Sequence, residues 1–160
     1  MSKPALLVHP PLGFFETRLV DYDVVHWPTD RKDVDAALTI GHVGISNAMI
    51  DALPELKCIV CFGVGVDGID LGYAKQRGIA ITHGRDINHE DVADDAIGLM
   101  IARHRLFTEG EKTLRDGAWT PPLAVPPQRR LRGRKVGVVG MGAIGAAVAH
   151  RAEAFGTEIK

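Results

Sequence analysis

The 160-residue sequence has no apolar run approaching the roughly 18–20 residues that cross a bilayer. Its opening, MSKPALLVHPP, has too short an apolar part for a secretory signal and reads as a strand. It also lacks an excess of either charge. Lys and Arg number 19 against 20 Asp and Glu, a formal net charge of −1, whereas nucleic-acid surfaces carry a clear basic excess. Cysteine is scarce, and the two residues present, Cys58 and Cys61, form a C-x-x-C within KCIVCF. Their neighbours are β-branched and apolar, which predicts a strand. Residues three apart on a strand point to opposite faces, and no second pair could complete a tetrahedral zinc site. Two inert thiols are therefore expected, with no metal. No internal repeat is found. These absences describe a cytoplasmic protein without membrane or nucleic-acid partners. Its 46% apolar and 24% charged residues are ordinary for a globular chain. The length suits one domain, or one domain and part of another.

What is present is an alternation. The short apolar runs PALLVH, YDVVHW, AALTIG, KCIVCF and IAIT are separated by turns and helical segments, the pattern of βαβ units and a parallel sheet. SNAMIDALPEL (46–56) is predicted as a helix capped by Ser46 and closed by Pro54. GIDLGYAKQRG (68–78) is predicted as another, ended by Gly78. Residues 1–88 are thus expected to form a small open α/β sheet, flavodoxin-like, with helices on both faces. Residues 89–117 then read as one long connecting helix, acidic at its start and basic towards its end. Its centre, AIGLMIA, is apolar all round and is expected to be buried on several sides. Residues 118–134 hold prolines and the cluster Arg129, Arg130, Arg132, Arg134 with Lys135 following. They read as a linker, and the cluster as a solvated loop in preference to a phosphate grip.

Residues 135–160 carry the most specific pattern. KVGVVG predicts a strand, GMGAIG is a G-x-G-x-x-G turn, and AIGAAVAHRAEAFG predicts a helix. That strand–turn–helix order is what gives the motif meaning. Gly140 permits the tight turn, Gly142 lets a pyrophosphate approach the backbone, and Gly145 lets helix and strand pack closely. The helix N-terminus offers N–H groups and a positive dipole end to phosphates. A second glycine stretch, CFGVGVDGIDLGYAKQRGI (61–79), also joins a strand to a helix. There the N–H groups of Val64 and Gly65 could form a concavity for an anion. Geometry alone leaves open whether those glycines serve an anion or only a turn with φ > 0.

FGVGVDGIDL, RGIAITHGRDINHEDVADDAIGLMIA and LRGRKVGVVGMGAIG, in that order, resemble the D-isomer-specific 2-hydroxyacid dehydrogenase family, with the glyoxylate/hydroxypyruvate reductases as the nearest flavour. The resemblance implies that residues 1–88 are the substrate-binding domain and that Val64 and Gly65 hold the substrate carboxylate. It implies that 89–117 connect the domains and build a homodimer, with His89 and Val92 bordering the nicotinamide. It also implies that 135–160 open a Rossmann domain for NAD or NADP, with Gly140, Gly142, Ala143, Ile144 and Gly145 at the pyrophosphate. The substrates would be small 2-oxo and 2-hydroxy acids. The chain departs from the family's usual N-T-P triplet and later Thr at His83-Gly84-Arg85 and His89. The family's catalytic Arg, Glu and His have no counterpart here, so the chain is read as a fragment, inactive alone, with no catalytic residue of its own. His9, His26, His42, His104 and His150 fall at predicted strand ends or within helices and do not replace them. The rival reading is a non-catalytic module that binds a small anion or pairs with a longer chain; a co-repressor on the same scaffold is a further version.

Overall fold

The computed structural model describes residues 3–119 and 127–160. Residues 120–126, part of the expected linker, lie outside the described residues. The chain divides into two compact units, Met1–Ile87 and Asn88–Lys160.

The first unit contains β1 (Ala5–His9), a 3-10 turn (Gly13–Arg18), β2 (Asp23–His26), β3 (Val34–Ile40), α1 (Asn47–Ala52), β4 (Cys58–Phe62), α2 (Leu71–Gln76) and β5 (Ala80–His83). All strands are parallel, in the order β2-β1-β3-β4-β5, which is the flavodoxin-like order. α1 begins behind Ser46 as the sequence predicts, whereas α2 begins at Leu71, behind an Asp70 cap, and not at Gly68. The Ser46 hydroxyl accepts the Met49 N–H, and the Asp70 carboxylate accepts the Tyr73 N–H at 2.9 Å. Gly78 follows α2 with a left-handed φ of 71°.

One expectation fails: α-helices do not cover both faces of this unit. Leu7, Ala37, Ile59 and Cys61 from the strands, Met49 and Ile50 from α1, and Ala74 from α2 form a single buried cluster. Both helices therefore lie on one face. Crossovers are right-handed, and β3→β4→β5 step in one direction, so α1 and α2 must cross on the same side. The β1→β2 step runs the other way and puts the 3-10 turn on the opposite face. There Phe15 packs on Phe62, with ring centroids 4.8 Å apart. Cys61 faces the helices, and register partners Cys58 with Ala36 on the other side. Burial pushes both thiols above their ordinary pKa, which keeps them protonated and unreactive.

The second unit contains α3 (His89–Arg105), α4 (Phe107–Arg115), β6 (Lys135–Val136), α5 (Ala143–Ala154) and β7 (Glu158–Ile159). The single helix expected over 89–117 is broken at Leu106, which takes a left-handed φ of 54°. Kinks usually mark Pro or Gly, and neither occurs at 106, so the break is not legible in the pattern. Nor is AIGLMIA buried on several sides. Ala93 and Ile97 are buried, while Leu99 on the other side is 72% exposed. The buried side packs on α5, whose Ala147, Ala149 and Ala152 are buried; side chains this small let two helices approach closely.

An ion-pair clamp closes that contact. Arg151 of α5 donates from Nε to Asp94 at 2.6 Å and from Nη2 to Glu90. The guanidinium holds the Glu90 carboxyl below its ordinary value of 4.5. A depressed carboxyl contributes stability that is complete above its unfolded value and lost as pH falls through its folded value. The second unit is therefore expected to loosen as the pH falls below about 4.5. Glu90→Gln should lose this pH dependence, as read by amide exchange in α5. Because the carboxylates are exposed, salt should weaken the effect.

No helix among the described residues is long and apolar enough to cross a membrane.

Candidate functional site

The glycine loop of the first unit lies where β4 ends, at the carboxyl edge of the sheet, where open α/β sheets bind ligands. It is wedged between two neighbours, backbone against backbone. A Cβ on Gly41 or on Gly44 would run into the carbonyl of Gly65 or of Gly68, respectively. Conversely, a Cβ on Gly68 would stand 2.6 Å from the Gly44 nitrogen. Gly68 N–H donates to Gly41 O at 2.7 Å, and on the other side Gly84 N–H donates to Gly63 O at 2.7 Å. Buried Thr39 fixes the first neighbour by donating to Gly44 O at 2.9 Å. The loop is held from both sides without using the two N–H groups at its tip. Among the described residues, neither Val64 nor Gly65 N–H has an internal acceptor. Unpaired N–H groups in a fixed loop are what a carboxylate needs. The Asp67 carboxylate lies beside Gly65, 3.4 Å from where a Cβ would stand. It works against a bound anion, and water screens it.

In the second unit, β6 is shorter than KVGVVG predicts. Its ladder covers Lys135 and Val136, and Lys160 extends it by donating to Val136 O and accepting from Val138 N–H, both at 2.9 Å. The turn that follows is formed nonetheless. Gly140 has a left-handed φ of 91°. A Cβ on Gly145 would collide with Gly140 O and stand 3.3 Å from the Val138 side chain, so helix and strand touch there as the motif requires. Gly142 caps α5 from an extended conformation (φ −75°), and a Cβ on it would meet nothing within 4 Å. The fold itself therefore does not need a glycine at 142, and the space its side chain would occupy is open. Gly142, Ala143 and Ile144 N–H have no internal acceptor among the described residues, as expected of a helix start. This cradle fits a dinucleotide pyrophosphate.

His89 and Val92 lie in the first turns of α3 in this same unit. His89 Nε2 is 3.2 Å from Glu90 Oε1. The Arg151 clamp brings these turns against α5, six residues past Gly145, or roughly 9 Å along the helix. The first loop, with Val64 and Gly65, and the second turn, with Gly140 to Gly145, each assemble within their own unit. Sequence reasoning missed Gly41, Gly44 and Gly84, whose signal was a glycine just beyond a strand, and the Arg151 clamp, which has no local signature. Among the described residues, no group of His, Cys, Asp and Glu could hold a metal.

Comparison with known proteins bears on the family and the fold. Residues 21–158 match the profile of the D-isomer specific 2-hydroxyacid dehydrogenase, catalytic domain. Glyoxylate/hydroxypyruvate reductase A of Arabidopsis thaliana is 39% identical over 131 residues, covering 82% of this chain and 42% of the relative. A 2-hydroxyacid dehydrogenase from Ketogulonicigenium vulgare superposes with a TM-score of 0.88 at 33% identity, over 99% of this chain and 54% of that one. The NADPH-dependent glyoxylate/hydroxypyruvate reductase of Sinorhizobium meliloti, solved with NADP and malonate, gives a TM-score of 0.83 at 36% identity, over 99% and 52%. The chain thus spans about half the length of the proteins it matches. With a 2-1-3-4-5 parallel sheet, a clamped glycine loop and a formed G-x-G-x-x-G turn, the chain belongs to the D-isomer specific 2-hydroxyacid dehydrogenase family.

Proposed function

We propose that this chain is the substrate-loop and phosphate-turn portion of an NAD(P)-dependent oxidoreductase that interconverts small 2-oxo acids and D-2-hydroxy acids, glyoxylate and hydroxypyruvate among them. The observation that carries the proposal is the pair of unpaired N–H groups at Val64 and Gly65, in a loop clamped on both sides. They would donate to the substrate carboxylate. Gly140, Gly142, Ala143, Ile144 and Gly145 would hold the pyrophosphate, with His89 and Val92 bordering the nicotinamide. Residues 1–88 would act as the substrate domain, 89–117 as the connecting segment and 135–160 as the start of the nucleotide domain. A nicotinamide dinucleotide, when bound, supplies or takes up the hydride. The exposed apolar side of α3, with Leu99 at its centre, would be covered by a second copy in a homodimer.

Turnover also needs a positioned acid/base, worth about 10²–10⁴ in rate, and orientation of two reactants. The family residues that supply these have no counterpart in 1–160. Mixed with NADH or NADPH and glyoxylate, the chain alone is expected to leave the reduced cofactor unconsumed. A chimera joining it to the remaining half of the Sinorhizobium meliloti reductase should consume it. Turnover by the purified chain would overturn the assignment of inactivity. A cooperatively melting chimera that oxidises NADPH with neither glyoxylate nor hydroxypyruvate would overturn the proposed reaction.

A further inference from the structure

Five of the seven residues 129–135 are cationic: Arg129, Arg130, Arg132, Arg134 and Lys135. The sequence alone reads them as a solvated loop; the structure gives three reasons to read them otherwise. The backbone is pinned. Arg134 N–H donates to Leu131 O at 2.9 Å, Gly133 N–H to Gly156 O at 2.7 Å, and Glu158 N–H to Arg134 O at 2.8 Å. Arg134 Nε donates to Arg130 O at 3.0 Å, and the Arg132 stem lies over Gly156. The charges are also uncompensated. Arg31, Arg77, Arg85, Arg103, Arg115 and Arg151 each reach a carboxylate, but none of these five does among the described residues. The acid in register with Lys135, Glu158, has Lys160 Nζ 3.8 Å away. Lastly, Arg130, Arg132, Arg134 and Lys135 line one open cavity of about 500 Å³ with side-chain-free Gly133.

Cations held this close repel one another, a cost that a bound anion offsets. The concavity is open to solvent, so a ligand would be held by charge and not by enclosure, and with 20 acidic residues against 19 basic ones the chain lacks the overall basic excess usual in nucleic-acid binders. Guanidinium forks match phosphate oxygens two at a time. The cluster ends on Lys135, the first residue of β6, whereas the 140–145 turn follows that strand, so the two lie towards its opposite ends. We propose that residues 130–135 bind a small oligophosphate, a ligand with two or more linked phosphate groups, at a site separate from the dinucleotide turn.

Calorimetric titration of the 160-residue chain with sodium triphosphate at low salt tests this. One ligand per chain is expected, with affinity falling as salt rises. Affinity should drop at least tenfold in R130Q/R132Q, and also in R130Q/K135Q, which leaves the Arg132 packing intact. It should be unchanged in G142V, which fills the dinucleotide cradle. ATP binding as tightly as triphosphate, or more tightly, supports the site and distinguishes recognition of phosphate alone from added base contacts. Undiminished affinity in both basic-cluster variants would overturn the proposal. So would loss of binding in G142V, equal competition by sulfate (an adventitious ion only), or stronger binding of an RNA oligonucleotide spanning several chains.

Discussion

Gly44→Ala is expected to cost the first unit a large share of its stability. Two costs coincide at this position. Gly44 has φ +69°, where a Cβ costs about 1–2 kcal/mol, and that Cβ would fall within the carbonyl of Gly68. The atom it meets is backbone, in a loop held by hydrogen bonds to Gly41 and Gly84, so it has no rotamer by which to yield. The combined loss is on the order of 3–5 kcal/mol, against a total of about 5–15 for a domain. Gly13 separates the two effects. It has φ +58°, and a Cβ there would meet nothing within 4 Å, so Gly13→Ala should cost only the conformational part, about 1–2 kcal/mol. Urea melts of the two variants measure the difference. Equal losses would mean that the 41–44 and 65–68 loops are not in backbone contact.

The second large effect is one of sign. Gly98 and Gly145 both sit in helices, and replacing a helical glycine by alanine ordinarily stabilises by about 0.5–1 kcal/mol. Gly98→Ala should do so, since a Cβ there meets nothing within 4 Å. Gly145→Ala should instead destabilise the second unit, because its Cβ would collide with Gly140 O. Helix and strand would have to part, and the left-handed turn at Gly140 would lose its support. Amide exchange across α5 would report the difference: slower in Gly98→Ala, faster by at least tenfold in Gly145→Ala. Slower exchange in both would show that the turn is not packed as described.

Much of this architecture is legible in the sequence because its causes are local. The apolar runs give the five strands of the first unit, Ser46 and Gly78 mark helix ends, and GMGAIG marks a turn whose first glycine is required by its left-handed φ and whose third is required by packing. Gly142 differs: the fold leaves its Cβ position empty, and the proposed approach of a pyrophosphate would account for the residue. What the sequence does not disclose depends on chain path or distant contacts. Which face α1 and α2 cover follows from the direction of the strand steps, not from helical periodicity. The break at Leu106 occurs without proline or glycine. The burial of AIGLMIA on one side depends on α5, some fifty residues away, and the Arg151 pairing with Glu90 and Asp94 joins residues 61 and 57 positions apart. The clamps at Gly41, Gly44 and Gly84 are visible only once neighbouring strand ends lie side by side.

Backbone amide chemical shifts of the 160-residue chain, followed by NMR during titration with oxalate, test the Val64–Gly65 anion site most directly. The largest, saturable shifts are expected at Val64 and Gly65, with smaller ones at Gly63 and Gly84. Saturation at these two amides would support the site even if affinity is weak. Oxalate shifts confined to the arginine cluster at 129–135, or no saturable shift at Val64 and Gly65 at concentrations where the fold is intact, would contradict it.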